Sequence, residues 1–170
     1  MGKLAISGAK SVRSKLWPKL PIVGKEELSA INEVVSSGVW SYNGPKEKEF
    51  TERFAEHIGT RYAIYVANGT VTLQIALEAL GIGFGDEAIV PGLTWQATAS
   101  CCVDVNAISV LVDIEEDSWC IDPRKIEEAI TPNTKAIIIV HLYGSNPKID
   151  EIIKIEKNRI LYGMQSGNWW

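Results

Sequence analysis

Short, wholly apolar runs punctuate this chain between stretches of helical periodicity, and that alternation leaves few folds open. Residues 62–67 (YAIYVA), 87–90, 108–112 and 136–141 are β-prone and strand-sized. Between them, residues 70–80 repeat Leu73, Ala76, Leu77 and Leu80 at helical spacing and stop at Gly81. Residues 94–103, 123–130 and 149–157 also read as helices. Two further helices precede the first run. One spans 25–37 through Leu28, Ile31, Val34 and Val35, with Gly38 as its stop; the other opens at Gly44-Pro45, carries Phe50, Phe54 and Ile58, and ends at Gly59. Strands joined by helices imply right-handed crossovers. Runs such as AIYVA and AIIIV lack polar alternation, as strands covered on both faces should. The expected fold class is α/β, a mostly parallel sheet with helices on both faces.

Charge and composition exclude several functions. A net charge of −4 without a basic stripe argues against nucleic acid as a partner. No apolar run approaches the roughly 18 residues of a membrane span, and the N-terminus lacks a secretory apolar core, so the expected compartment is cytoplasmic. The basic residues of the first twenty sit among Ser, Gly and Ala, as in a solvated arm. Cys101, Cys102 and Cys120 read as reduced, mostly buried thiols. With His57 and His141 the only histidines, no metal site is expected.

Three junctions could carry chemistry. At Asn68-Gly69-Thr70 an expected strand passes into a helix, whose N-terminus offers free N–H groups and a positive dipole end to a phosphate. Gly69 would admit close backbone approach and Thr70 a hydroxyl; equally, Asn68 or Thr70 could simply cap the helix. Trp95, just beyond the 87–90 run, could stack on a planar ring or serve as a core or lid aromatic. His141 follows the last run and reads as a hydrogen-bonded structural histidine. The acidic residues Glu115, Glu116 and Asp117 read as a solvated loop. The glycines of 81–86 follow a helix and precede a strand, the wrong order for a phosphate loop. They read as a cap and a turn. A nucleotide-binding Rossmann domain would need a glycine fingerprint after its first strand, which ANGTVT does not supply.

The series NGTVTLQIALEALGIGFGDEAIVPGLTWQATAS followed by VLVDIEEDSWCIDPRKIEEAITPNTKAIIIVHLYGS resembles the DegT/DnrJ/StrS-type aminotransferases. With WPKLPIVGKEELSAINEVVSSGVWSYNGP upstream, it is most similar to the branch acting on inosose-type cyclitols. The resemblance implies a fold-type I enzyme that uses pyridoxal 5'-phosphate to aminate a keto-sugar or keto-cyclitol from an amino-acid donor, as a homodimer. It assigns cofactor phosphate binding to Gly69 and Thr70 and ring stacking to Trp95. It also implies domains at 1–24 (arm), 25–158 (part of the cofactor-binding large domain) and 159–170 (divergent tail).

The family's catalytic groups have no match here. Counted without gaps from Asp150, the carboxylate that pairs with the pyridine nitrogen falls on Ser166; aligned on Gln165, it falls on Tyr162. The Schiff-base lysine would lie beyond Trp170. Lys148, Lys154 and Lys157 sit on an amphipathic, solvent-facing helix and lack the setting of a nucleophile. The expectation is therefore a truncated enzyme, inactive alone, with no catalytic residue in this chain. The alternative is a non-catalytic phosphate-binding or partner protein derived from the family. Truncation also predicts that the 136–141 strand is left with an unpaired edge.

Overall fold

The computed structural model describes residues 3–17, 19–41, 44–155 and the backbone of 160–164. Contacts divide the chain at Ala63/Ile64 into two compact units. The first holds a 3-10 turn at Ala5–Ser7 and the helices α1 (Lys25–Ser37) and α2 (Pro45–Ile58). Gly38 and Gly59 end them in the left-handed conformation, at φ 71° and 76°, which glycine adopts without a Cβ penalty. Lys46 Nζ lies 3.0 Å from Glu33 on α1 and 3.1 Å from Glu49 on α2. Phe50 and Phe54 stack at 5.7 Å. The helical stripes that foretold both helices, Leu28, Ile31 and Val35 with Phe50, Phe54 and Ile58, remain exposed.

The second unit is the α/β layer. It comprises α3 (Gly69–Ala79), β1 (Glu87–Pro91), α4 (Ala97–Asp104), β2 (Ile108–Val112), α5 (Pro123–Ala129), β3 (Thr134–Val140), a 3-10 turn at Leu142–Gly144, α6 (Ile149–Ile155) and β4 (Ile160–Met164). All strand pairs are parallel, in the order β2-β1-β3-β4. Because successive strand residues face opposite sides, the sheet feeds two cores. Ala88, Val90, Ala136 and Ile138 cluster with Leu73 and Leu77 of α3 and with Ala97, Cys101 and Cys102 of α4. Ile89, Ile137 and Ile139 turn the other way, onto Ile126 of α5 and Ile152 of α6. The expected α/β class with helices on both faces is what forms.

Two expectations fail. Residues 62–67 form no strand, and Tyr62, Ile64 and Tyr65 are exposed. The outer strands are β2 and β4, and this run pairs with neither. Without a ladder to join, β-propensity alone does not order a strand. The edge of β3, expected to be open, is covered: Ile160–Met164 pairs with it from Ala136↔Ile160 to Val140↔Met164. Aperiodic as it looked, the tail still supplies extended backbone whose N–H and C=O groups complete the ladder, which requires no side-chain pattern. The end of the helix expected over 149–157, with Lys157, and the positions Gln165 and Ser166 lie outside the described residues.

The reading of 81–86 as cap and turn agrees with the structure. Gly81 has φ 73°, and the Asp86 carboxylate accepts from Gly83 N–H at 3.1 Å. All three cysteines are free and buried, as expected. Hydrogen bonding to Cys102 and burial raise the Cys101 thiol far above its ordinary pKa. Among the described residues no helix is long and apolar enough to cross a membrane.

Candidate cofactor site at the carboxyl end of the sheet

Helix α3 leads through a short connection into β1, and α4 leaves β1 just beyond it, both against the same face. A helix that precedes or follows a parallel strand in this way runs antiparallel to it. Both helix N-termini are therefore directed to the carboxyl end of β1, where ligands of open α/β sheets collect. Topology thus brings Gly69 and Thr70 to the same end of the sheet as Trp95, although the strand expected before Gly69 is missing.

Asn68 sets the geometry of the first junction. Its backbone is fully extended (φ −170°, ψ 171°), and its Oδ1 accepts from Val71 N–H at 3.1 Å. Its carbonyl accepts from Thr72 N–H at 3.2 Å and from the Thr72 hydroxyl at 3.0 Å. The capping role weighed for Asn68 or Thr70 therefore belongs to Asn68. That leaves the N–H groups of Gly69 and Thr70, and the Thr70 hydroxyl, with no acceptor among the described residues. No atom lies within 4 Å of where a Cβ on Gly69 would stand. Three free donors around an open approach fit a phosphate ester. Asn68→Ala should destabilise the fold by about 1 kcal/mol, the ordinary worth of an N-cap, as read by urea unfolding.

The second junction is held by residues the sequence did not single out. Gly92 N–H donates to Val112 O at 2.8 Å, tying the exit of β1 to the end of β2. A Cβ on Gly92 would stand 3.2 Å from that same oxygen, so a larger residue would require that carbonyl to give way by a few tenths of an ångström. Beyond it, buried Thr98 shares a 2.9 Å hydroxyl contact with Thr94, and its N–H donates to Trp95 O at 3.0 Å. The turn is thus fixed while the indole of Trp95 stays 76% exposed. A core role for Trp95 is excluded. PGLTW carried a legible signal for Gly92, a glycine directly after a strand; Thr98 had none.

The remaining candidates fall elsewhere. His141 Nδ1 lies 3.3 Å from Asn146 Oδ1, in keeping with a hydrogen-bonded histidine. Glu115 departs from the solvated reading: its side chain is only 15% exposed and lies 2.6 Å from Lys148 Nζ. Lys148 stands just ahead of α6, where the hydrogen bond it donates to the Glu115 carboxylate holds its ammonium above the ordinary lysine range. A nucleophilic lysine needs the opposite shift. Asp122 caps α5 through Arg124 N–H at 2.9 Å, and the Arg124 guanidinium at 2.7 Å holds its carboxyl below the usual range.

A model described as the DegT/DnrJ/EryC1/StrS aminotransferase family matches residues 21–165. The chain belongs to that family. Its enzymes are pyridoxal-phosphate-dependent aminotransferases, as the motif series implied. An L-glutamine:2-deoxy-scyllo-inosose aminotransferase from Micromonospora echinospora is 42% identical over an alignment of 161 residues that covers 91% of this chain and 38% of that protein. Among solved structures, 3-amino-5-hydroxybenzoic acid synthase matches with a TM-score of 0.83 at 30% identity, over 87% of this chain and 39% of that one. A putative sugar aminotransferase from Streptococcus pneumoniae in its PLP form matches with a TM-score of 0.77 at 34% identity, over 88% and 38%. The chain therefore spans well under half the length of the relatives it matches, and curated relatives such as the Micromonospora echinospora protein are named as inosose aminotransferases, the branch expected from the sequence.

Proposed function

We propose that this chain contributes the cofactor-phosphate and ring-stacking part of a pyridoxal-phosphate aminotransferase acting on a keto-cyclitol, with L-glutamine as amino donor. The observation that carries it is the set of donors at the α3 N-terminus without an acceptor among the described residues, facing the same sheet end as the exposed Trp95. When bound, the cofactor supplies the electron sink that transamination requires. The residues of this chain hold and orient it. Gly69 and Thr70 would receive the phosphate through two N–H groups and a hydroxyl, reinforced by the helix dipole. Trp95, fixed by Gly92 and Thr98, would lie against the pyridine ring and keep water from one face. Neither role moves a proton. In this reading the lysine and carboxylate of the reaction come from outside the described residues.

The substrates follow from what the relatives are named for, keto-cyclitol and L-glutamine. Assembly as a homodimer is part of the same proposal, supported by the apolar stripes left exposed on α1 and α2. Three free, buried thiols favour a reducing compartment, the cytoplasm. Titration with pyridoxal phosphate tests the site directly. Saturable quenching of indole fluorescence is expected, lost in Trp95→Phe and weaker by about tenfold for pyridoxal lacking its phosphate, near 1.4 kcal/mol. Equal binding of the two compounds would remove the phosphate assignment.

A further inference from the structure

Two exposed aromatics outside the cofactor site share an unusual backbone. Trp119 has φ 58° and Tyr143 has φ 52°, a left-handed conformation that bulky L-residues rarely adopt. Their rings meet edge to face at 6.3 Å, while Trp119 stays 51% exposed and Tyr143 73% exposed. Burial therefore does not explain holding them there. Trp119 lies on the loop after β2 and Tyr143 on the turn after β3, so both stand at the carboxyl end of the sheet. β3 is the direct neighbour of β1, from which Trp95 emerges.

The two loops are fastened together at two other points. Glu115 pairs with Lys148 at 2.6 Å, and the Cys120 thiol donates to Ser145 O at 3.7 Å. An isolated bridge between Ile114 and Ile121 closes the first loop on itself. The aromatic pair is thus presented on a braced support. The loop segment just before Trp119, residues 113–118, lines a cleft of about 720 Å³ together with Asp122, Arg124, Lys125 and Lys148; the aromatic pair stands outside its lining, and the volume is within the range of small-molecule sites. Glu116 and Asp117 on its wall are exposed and have no ion-pair or hydrogen-bond partner among the described residues.

We propose that Trp119 and Tyr143 form a platform for a polyhydroxylated six-membered ring, and so act as specificity residues for the amino acceptor. This rests on the aminotransferase reading above. A cyclitol with equatorial hydroxyls presents a flat C–H face, which an open aromatic face accepts. Its rim of hydroxyls donates to carboxylates such as Glu116 and Asp117. A planar, charged heterocycle is better served by Trp95 and the α3 donors, so the two ring systems are divided between adjacent strand ends.

The test is NMR titration of the full chain with inositol, following the indole N–H signal of Trp119, assigned by its loss in Trp119→Phe. The signal should shift saturably. Tyr143→Ala should weaken binding at least about tenfold, whereas Tyr143→Phe, which keeps the ring, should stay within about threefold. Pyridoxal phosphate binding should be unchanged in both variants, which also shows that they are folded. An unshifted Trp119 signal, or equal inositol binding by Tyr143→Ala, overturns the platform. So would concentration-dependent self-association lost in Tyr143→Ala without any inositol response, since the pair would then be a protein contact. Inositol binding without pyridoxal phosphate binding would sustain the platform and remove the cofactor reading instead.

Discussion

Gly69→Asp is expected to reduce pyridoxal phosphate binding by at least about a hundredfold while leaving the fold intact. Gly69 is the first residue of α3, and a Cβ there meets nothing within 4 Å. The substitution therefore costs no packing. A carboxylate in the first turn of a helix also interacts favourably with the helix dipole, by about 0.3–1 kcal/mol. Thermal stability should stay level or rise slightly. Binding responds in the opposite direction, because the new carboxylate occupies the N–H groups meant for the phosphate and places like charge against it. A hundredfold loss is about 2.8 kcal/mol, reasonable for blocking charge-assisted hydrogen bonds together with close repulsion. Fluorescence titration beside a thermal melt reads both quantities. Undiminished binding with an unchanged melt would show that the phosphate is held elsewhere.

That separation of binding from folding was only half legible in the chain. The helix over 69–79 and its polar N-terminal residues are written plainly in local periodicity, and α1 and β2 lie where the pattern places them. The division of labour between Asn68 and Thr70 is not, because either side chain can cap and only the extended backbone at Asn68 decides which does. Trp95 posed the same problem. A tryptophan after a strand reads first as a core or lid aromatic and only then as a ligand contact, and the question turns on Gly92 and Thr98, which hold the turn while the indole stays exposed. Glu115 was misjudged for a related reason: its partner Lys148 is distant in sequence, and a loop carboxylate looks solvated until the other loop is placed. The two strand errors have one physical root. A strand exists by virtue of its neighbour, so local composition overstated residues 62–67, which pair with no strand among the described residues, and understated Ile160–Met164, which has β3.

That root yields the second large expected effect, a contrast between two isoleucines in runs of nearly identical character. Ile137 lies in β3, opposite Ile89 of β1 and Leu161 of β4. It is fully buried in the cluster with Ile121, Ile126, Ile139 and Ile152. Ile137→Ala deletes buried methylenes from a layer closed on one side by α5 and α6 and fixed in the sheet by two ladders, so the cavity cannot collapse easily. A loss of about 2–5 kcal/mol is expected, a large share of the roughly 5–15 kcal/mol that holds a domain of this kind together. Ile64 sits in YAIYVA, a run the sequence alone reads as equally interior, yet it is 82% exposed and outside any strand. Ile64→Ala should therefore change stability by no more than about 0.5 kcal/mol, as for an ordinary surface position. Urea unfolding of the two variants beside the parent chain measures the contrast. Comparable losses at both positions would mean that residues 62–67 are packed as a covered strand after all, and that the approach to Gly69 begins from within the sheet.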